Sequence, residues 1–589
     1  MSAETILSEY PECLKEIDEE LCTMTRRLQE LISMPSPTQD VLREVAIIYS
    51  NVAHIFVYLE GNHRYLSYEP LMRHREAFFN NREQEEKMLK LLSSLHCPDP
   101  QADADRRTWV IWFRERLYSS DPSVDQRIES FYVAAKRVLH EIDENQAAFL
   151  RRLGVRTGRT NAAAVFYRTV SVTRNSVTRS KLAQVWYRER DRHLNSLTEI
   201  IDRVIAERRI QARKKGFSTV VEETFQRCSA SERRVGEFIR SYLVRSLSSH
   251  SKLAADVRDA TGCLGNPMDH FGYYLRTLLN GAELPLFALD ACLDYIFLVA
   301  RRVFGITVTR HTNNNPDIIM ATVQVENIEV GMIKFDLLDI GYSQAVTDMP
   351  LATSRKYSIE RDAYPVGHVL CRFQHGVDGI RRITFESAHS LFHEFGHTIN
   401  HLLIRKRLPN QSGLEYLPLE RLENLSMWFE KWVYHPQFAE SLSLTPEGRE
   451  GLTLCQRIKM LEFLSTNLES AVTAALDFEV HRCLEGGLEQ SFRRLDEEFA
   501  LADHIPFGRL PHYFTAPMFR ANPGAGFVYV WGATDSVQKF APFMQHGADN
   551  VMPNQALQAM FGSYFDPSEP STESDIETVF DFYGAAIWK

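Results

Sequence analysis

Five residues, His393-Glu394-Phe395-Gly396-His397, constrain this chain more than any other stretch. They read H-E-x-x-H inside an apolar run. Phe385, Ala388, Leu391, Phe392, Phe395, Ile399 and Leu402 recur there at helical spacing. On a helix, residues four apart share a face with Cβ atoms about 5–6 Å apart, so two imidazoles can grip one metal ion. Glu394, one residue past the first histidine, is placed to reach a water on that ion. With 20 His and 77 acidic residues in 589, H-[DE]-x-x-H is expected by chance about 0.09 times. Thr384 or Ser387 can cap the helix start. Gly396 costs about 1 kcal/mol against Ala in a helix interior. That cost is explained if another backbone or a substrate approaches closely there.

A catalytic zinc site takes three protein ligands and keeps one position open. Residues 419–432 read as a second helix, with Leu422, Leu425, Phe429 and Trp432 on one side. It offers Glu420, Glu423 and Glu430 as third ligands. The charged, turn-rich connection from Arg405 to Gly413 lets two antiparallel helices set a carboxylate opposite the histidine pair.

With Ser412-Gly413 and Glu423-Asn424-Leu425-Ser426-Met427-Trp428-Phe429-Glu430 following the motif, the chain resembles the thimet oligopeptidase family of zinc peptidases. That family includes neurolysin and mitochondrial intermediate peptidase. Its pattern is H-E-[FM]-G-H, later S-G, then E-x-P-S-x-x-x-E. Leu425 stands where the family usually has Pro. Further likeness lies in Gly331–Leu337, Pro365–Phe373 and Arg208–Glu222, where Arg208, Ala212, Gly216, Phe217 and Glu222 fall in register. The similarity runs from about Ala162 to the C-terminus.

The resemblance implies one Zn²⁺ per chain held by His393, His397 and Glu423, with Glu394 as general base and then general acid. Glu430, two turns past Glu423, could orient a ligating histidine or face solvent as an ordinary helix glutamate. Family members often carry another His at the position of Asn400; here His401 follows instead. The substrate clamp, a His followed by a tyrosine-rich run, finds its nearest match in His512, Tyr513 and Tyr529. These are the expected donors to a developing oxyanion. With Tyr529 as the last clamp tyrosine, the earlier ones fall on Asn522 and Gly526, and the clamp histidine falls on Pro517.

The fold the resemblance implies is mainly α. It is a multi-helical, prolate, two-lobed, zincin-like metallopeptidase with a small β-sheet near the active site and a deep central channel. Length and composition agree with a large globular chain: 589 residues, 44% apolar and 24% charged. Residues 1–155 read as an N-terminal helical region and 156–589 as the catalytic region, with Gly154–Gly158 as the candidate boundary. Helical periodicity covers Ile6–Ile32, Val124–Leu153 and a charged Ser180–Lys215 segment, the last read as one helix with a solvated basic face. Strand-like alternation is confined to Gly305–Thr309 and Ile318–Phe335. Leu284–Ile306 is broken by Asp290, Asp294, Arg301 and Arg302 and reads as a buried helix rather than a membrane span. Pro567–Ser574 reads as a polar loop.

A net charge of −10 argues against a nucleic-acid partner. Nine scattered cysteines without a C-x-x-C pair fit buried free thiols in a reducing compartment. The N-terminus has no apolar signal core and is acidic for a mitochondrial presequence. The expectation is a cytoplasmic monomer, with the mitochondrial matrix as the alternative. The expected activity is endopeptidase cleavage of short unstructured peptides by a zinc-activated water. The alternatives are precursor processing and a peptide-binding scaffold without turnover.

Overall fold

The computed structural model describes residues 12–35, 37–61, 69–79, 81–119, 122–155, 162–263, 265–282, 284–311, 318–336, 351–355, 365–370, 380–405, 412–414, 417–549, 560–562 and 575–588. The expected Pro567–Ser574 loop, the end of the Pro365–Phe373 likeness and part of the Gly154–Gly158 boundary lie outside the described residues.

Helices dominate. The N-terminal layer contains α1 (Glu12–Ile32), α2 (Asp40–Gly61) and α3 (Glu69–Phe79). Leu21, Leu28, Val45, Tyr49, Phe78 and Phe113 build its core. Val366 of the sheet is buried in that same core, so the N-terminal layer packs directly on the sheet. The long helix α4 (Pro122–Arg152) follows. Packing does not break at the expected boundary: Phe149 and Leu150 share a small core with Ala162, Phe166 and Trp186.

The expected single helix over Ser180–Lys215 is two, α5 (Ser176–Asp191) and α6 (Leu194–Lys214). No Gly or Pro marks the break. His193 leaves the helix there, with its ring 3.1 Å from Asn145 of α4, so a tertiary contact interrupts the local pattern. The basic face is also not uniformly solvated. Arg208 is buried and donates to Tyr132 Oη at 2.7 Å and to the Arg520 carbonyl at 2.8 Å. Arg209 donates to the carbonyls of Gly486 and Val480. These guanidiniums tie α6 to distant chain, satisfying carbonyls that would otherwise be stranded.

Two large cores follow. One joins α7 (Glu232–Thr261) to the C-terminal half. The other joins α8 (Leu289–Phe304), the sheet and the motif helix. The sheet has order β2-β3-β4-β6-β5, with β2 (Ile306–His311), β3 (Ile318–Val325), β4 (Ile328–Asp336), β5 (Leu351–Arg355) and β6 (Val366–Leu370). All pairs are antiparallel except β4 with β6. The short β1 (Phe287–Ala288) pairs with β7 (Arg382–Ile383) just before the motif helix. Strand β5 was not legible from alternation. Among the described residues no helix is long and apolar enough to cross a membrane.

The motif helix α9 (Phe385–Leu403) lies on this sheet. Two strand glycines set its depth. A Cβ on Gly331 would stand 2.9 Å from Leu402, and one on Gly367 would stand 2.3 Å from Thr398 Cγ2. Side chains there would lift the helix. We expect Gly367→Ala to lower stability by about 1–3 kcal/mol through overpacking, read as a fall in melting temperature. Thr398→Ser in the same chain should recover most of the loss, because it removes the clashing methyl and keeps the hydroxyl bond to the Glu394 carbonyl.

Candidate metal centre

Thr384 caps α9 by accepting from the Ser387 amide at 3.1 Å. The expected second helix begins later than the periodicity suggests. A 3-10 turn at Leu419–Arg421 leads to Glu423 and then to α10 (Asn424–Glu430). The two helices cross in close contact at Gly396. A Cβ there would stand 2.6 Å from Ser426 Cα and 2.8 Å from the Leu425 carbonyl oxygen. The interior glycine therefore serves a backbone approach.

This antiparallel crossing brings together three of the expected ligands. Glu423 Oε2 lies 3.3 Å from His393 Nε2 and 3.3 Å from His397 Nε2. The two rings meet edge to face at 4.8 Å between centroids. Metal–donor distances of about 2.0–2.2 Å in a tetrahedron require donor–donor edges of about 3.3–3.6 Å, which both Glu423–histidine separations match. Two ring nitrogens and one carboxylate oxygen are a suitable donor set for zinc. Glu394 sits between the histidines on α9, half-buried.

The other glutamates have separate tasks. Glu420 is buried and accepts from the amides of Ser229 at 2.9 Å and Ala230 at 3.0 Å. Glu430 Oε2 lies 3.0 Å from His393 Nδ1, so it fixes the ring with Nε2 toward the trio. Its other oxygen bonds Lys431, a buried lysine whose ammonium also faces the Tyr583 ring. His389 stands 3.7 Å from the same carboxylate. Ser426 donates to the Glu423 carbonyl at 2.9 Å and lies 3.3 Å from its carboxylate.

Charge in this cluster is tightly balanced. Burial opposes a charged His393, yet hydrogen bonds to Glu423 and Glu430 outweigh it and hold that imidazole well above its ordinary value. Burial likewise opposes ionisation of Glu423 and Glu430. The imidazoles beside Glu423, and Lys431 with the histidines beside Glu430, override burial and hold both carboxyls below the usual range. Burial pushes His389 down to about 4.

A further helix, α12 (Val528–His546), closes the site from the other core. A Cβ on Gly532 would stand 2.9 Å from Glu423 Cβ. One turn earlier, Tyr529 is 41% exposed. Partial burial and the adjacent Glu423 charge push its phenol up to about 12, so it keeps its proton at neutral pH. His512 and Tyr513 have other partners. Arg190 donates to His512 Nδ1 at 2.6 Å, and burial with that guanidinium pushes His512 down to about 3. Tyr513 stacks on His512 and bonds Glu469. A cavity of about 700 Å³ is lined by His389, Glu430, Tyr434, Tyr187, Asp269 and Arg509, among others. His401 accepts from the Leu414 amide at 3.4 Å and supports the connecting segment.

Lys431 and Gly532 were not read from the sequence. The signal for Gly532 is a glycine in a helix that faces the Glu423 turn.

The family model described as Peptidase family M3 matches residues 171–550. The chain belongs to that family, the one that contains thimet oligopeptidase. It is 24% identical over 392 residues to Oligopeptidase A of Salmonella typhimurium, covering 61% of this chain and 57% of that protein. Organellar oligopeptidase A, chloroplastic/mitochondrial, of Arabidopsis thaliana is 23% identical over 391 residues, 60% of this chain and 49% of that protein. The chain thus aligns with about half the length of these relatives. The fold is similar to that of PZ peptidase A, with a TM-score of 0.56 at 12% identity over 97% of this chain and 96% of that one. A putative oligoendopeptidase F from Bacillus anthracis str. Ames gives 0.55 at 11% identity over 97% and 96%.

Gly532→Val should push on Glu423 and weaken divalent-metal binding at least tenfold while leaving the helix content unchanged. Calorimetric titration of the metal-free protein with Zn²⁺ checks this, and unchanged affinity would remove Glu423 from the ligand set.

Proposed function

We propose that this chain is a zinc-dependent metalloendopeptidase that hydrolyses internal bonds of short unstructured peptides. The convergence of His393, His397 and Glu423, with Glu423 3.3 Å from each imidazole, carries the reading, and membership of family M3 supports it. Zinc held by these three residues supplies Lewis-acid chemistry and a water acidified to a pKa of about 7.

The residues of the chain then divide the work. Glu394 accepts a proton from the attacking water and returns it to the leaving amine. Glu430 holds His393 in the tautomer that presents Nε2. Tyr529, protonated and beside Glu423, donates to the oxygen of the carbonyl under attack. His512 and Tyr513 are given no oxyanion role, because Arg190 and Glu469 already engage them.

The scaffold reading rests on the irregular clamp, in which Pro517, Asn522 and Gly526 fill clamp positions. It predicts peptide binding without cleavage. Precursor processing differs in substrate alone, and a peptide library read by mass spectrometry separates it by length limit.

Glu394→Gln should retain one zinc and lose about 10²–10⁴-fold in kcat on a quenched peptide. A zinc-loaded wild type that binds peptide and never cuts it would establish the scaffold reading. The pH dependence follows from competition between proton and metal. The two carboxylates raise His393, so the metal-free site holds its proton tightly and metal must displace it. Apparent zinc affinity should therefore fall as pH drops and rise through neutral pH, measured by competition with a chromogenic chelator. Glu430→Gln removes one of the two carboxylates, so the rise should shift to lower pH.

A further inference from the structure

A second cluster of metal-binding side chains lies in the N-terminal layer, apart from the site above. Asp18 and Cys22 occupy positions i and i+4 on α1 and share a face. His74 reaches them from α3. His74 Nε2 stands 3.7 Å from Cys22 Sγ and 2.9 Å from Asp18 Oδ1. One donor atom from each residue lies within 4.8 Å of the others. No lysine or arginine pairs with Asp18 among the described residues.

The same ruler applies as at the first site. Zn–S of about 2.3 Å and Zn–N of about 2.0–2.1 Å give a tetrahedral S–N edge of about 3.6 Å. The Cys22–His74 separation matches it. The Asp18–His74 contact is a hydrogen bond that an ion would replace, opening by about 0.5 Å toward the tetrahedral N–O edge. Small rotations about χ1 and χ2 of Asp18 and His74 supply that movement. Cys22 is exposed, which leaves a fourth position for water.

We propose that Asp18, Cys22 and His74 form a second divalent-metal site with a preference for zinc-like ions. A thiolate, an imidazole and a carboxylate select borderline-soft cations over Mg²⁺ or Ca²⁺. Binding releases the thiol proton, and the two anionic ligands neutralise the ion. The physical consequence is a cross-link between α1 and α3. Those helices share the core that buries Val366 of β6, so an ion here braces the layer beneath the sheet on which α9 rests.

Cobalt substitution tests this without reference to activity. The His393, His397 and Glu423 set contains no sulfur, so a thiolate-to-cobalt charge-transfer band separates a cysteine-containing site from it, and its loss in Cys22→Ser assigns the band to Cys22. Metal-free full-length protein titrated with Co²⁺ should bind two equivalents, one of them carrying that band. Cys22→Ser and His74→Ala should each abolish the band, and Cys22→Ser should leave the other equivalent and peptide cleavage unchanged. Glu423→Gln should weaken the sulfur-free equivalent and leave the band in place. A wild-type titration without the band, or a band that persists in Cys22→Ser, overturns the proposal. Either result leaves the catalytic reading untouched, since Glu423→Gln tests that separately.

Discussion

The crossing of α9 and α10 at Gly396 is the constraint on which the site depends. The space that a single Cβ would need is filled by the Leu425 carbonyl and the Ser426 backbone. Only at that separation does Glu423 Oε2 come within 3.3 Å of both histidine rings. The same antiparallel register puts Glu430 two turns away against His393. Two glycines in the strands below and one in α12 repeat the device, each removing a side chain where an element must approach. The candidate metal centre is therefore placed by absent side chains as much as by its three donor residues. Its rigidity comes from dense aromatic packing around Trp428, Phe429 and Trp432.

Burial then makes the electrostatics consequential. Glu430 and Lys431 are both taken out of water, where an unpaired charge is costly. They satisfy each other, and the second carboxylate oxygen is left for His393. Ser426 does the same for Glu423 from within its own helix turn. Such a network fixes ring orientation before any ion arrives, so little reorganisation accompanies binding. Tyr529 enters from the opposite core on α12, and the site thus lies at the seam between the two large hydrophobic clusters.

Much of this was legible. The apolar stripe of α9, the buried character of α8 and the strand character of Gly305–Thr309 and Ile318–Phe335 follow from periodicity, although the latter stretch turns back at Glu326-Asn327 into the two strands β3 and β4. The interior Gly396 signalled a close approach before its partner was visible. What failed was non-local. Nothing within Ser180–Lys215 marks the break at His193, since a contact with Asn145 on another helix makes it. The basic run looked solvated because charge patterning does not register that Arg208 meets Tyr132 and a carbonyl more than 300 residues away. Among the described residues strand β5 pairs with β6 alone, and its five residues carry too few alternations to declare a strand.

The sequence by itself determined the i, i+4 histidine pair, the glutamate between them and the helix that carries all three, because helical spacing is a local property. It also set out three glutamates downstream, and the likeness to a known family pointed to one of them. Tertiary structure decided their geometry. Glu420 turns to backbone amides of the Ser229 segment, Glu423 faces the imidazoles and Glu430 backs one of them. That sorting depends on how one helix is rotated against another, and the rotation is set by packing across the whole core rather than by any short stretch of chain.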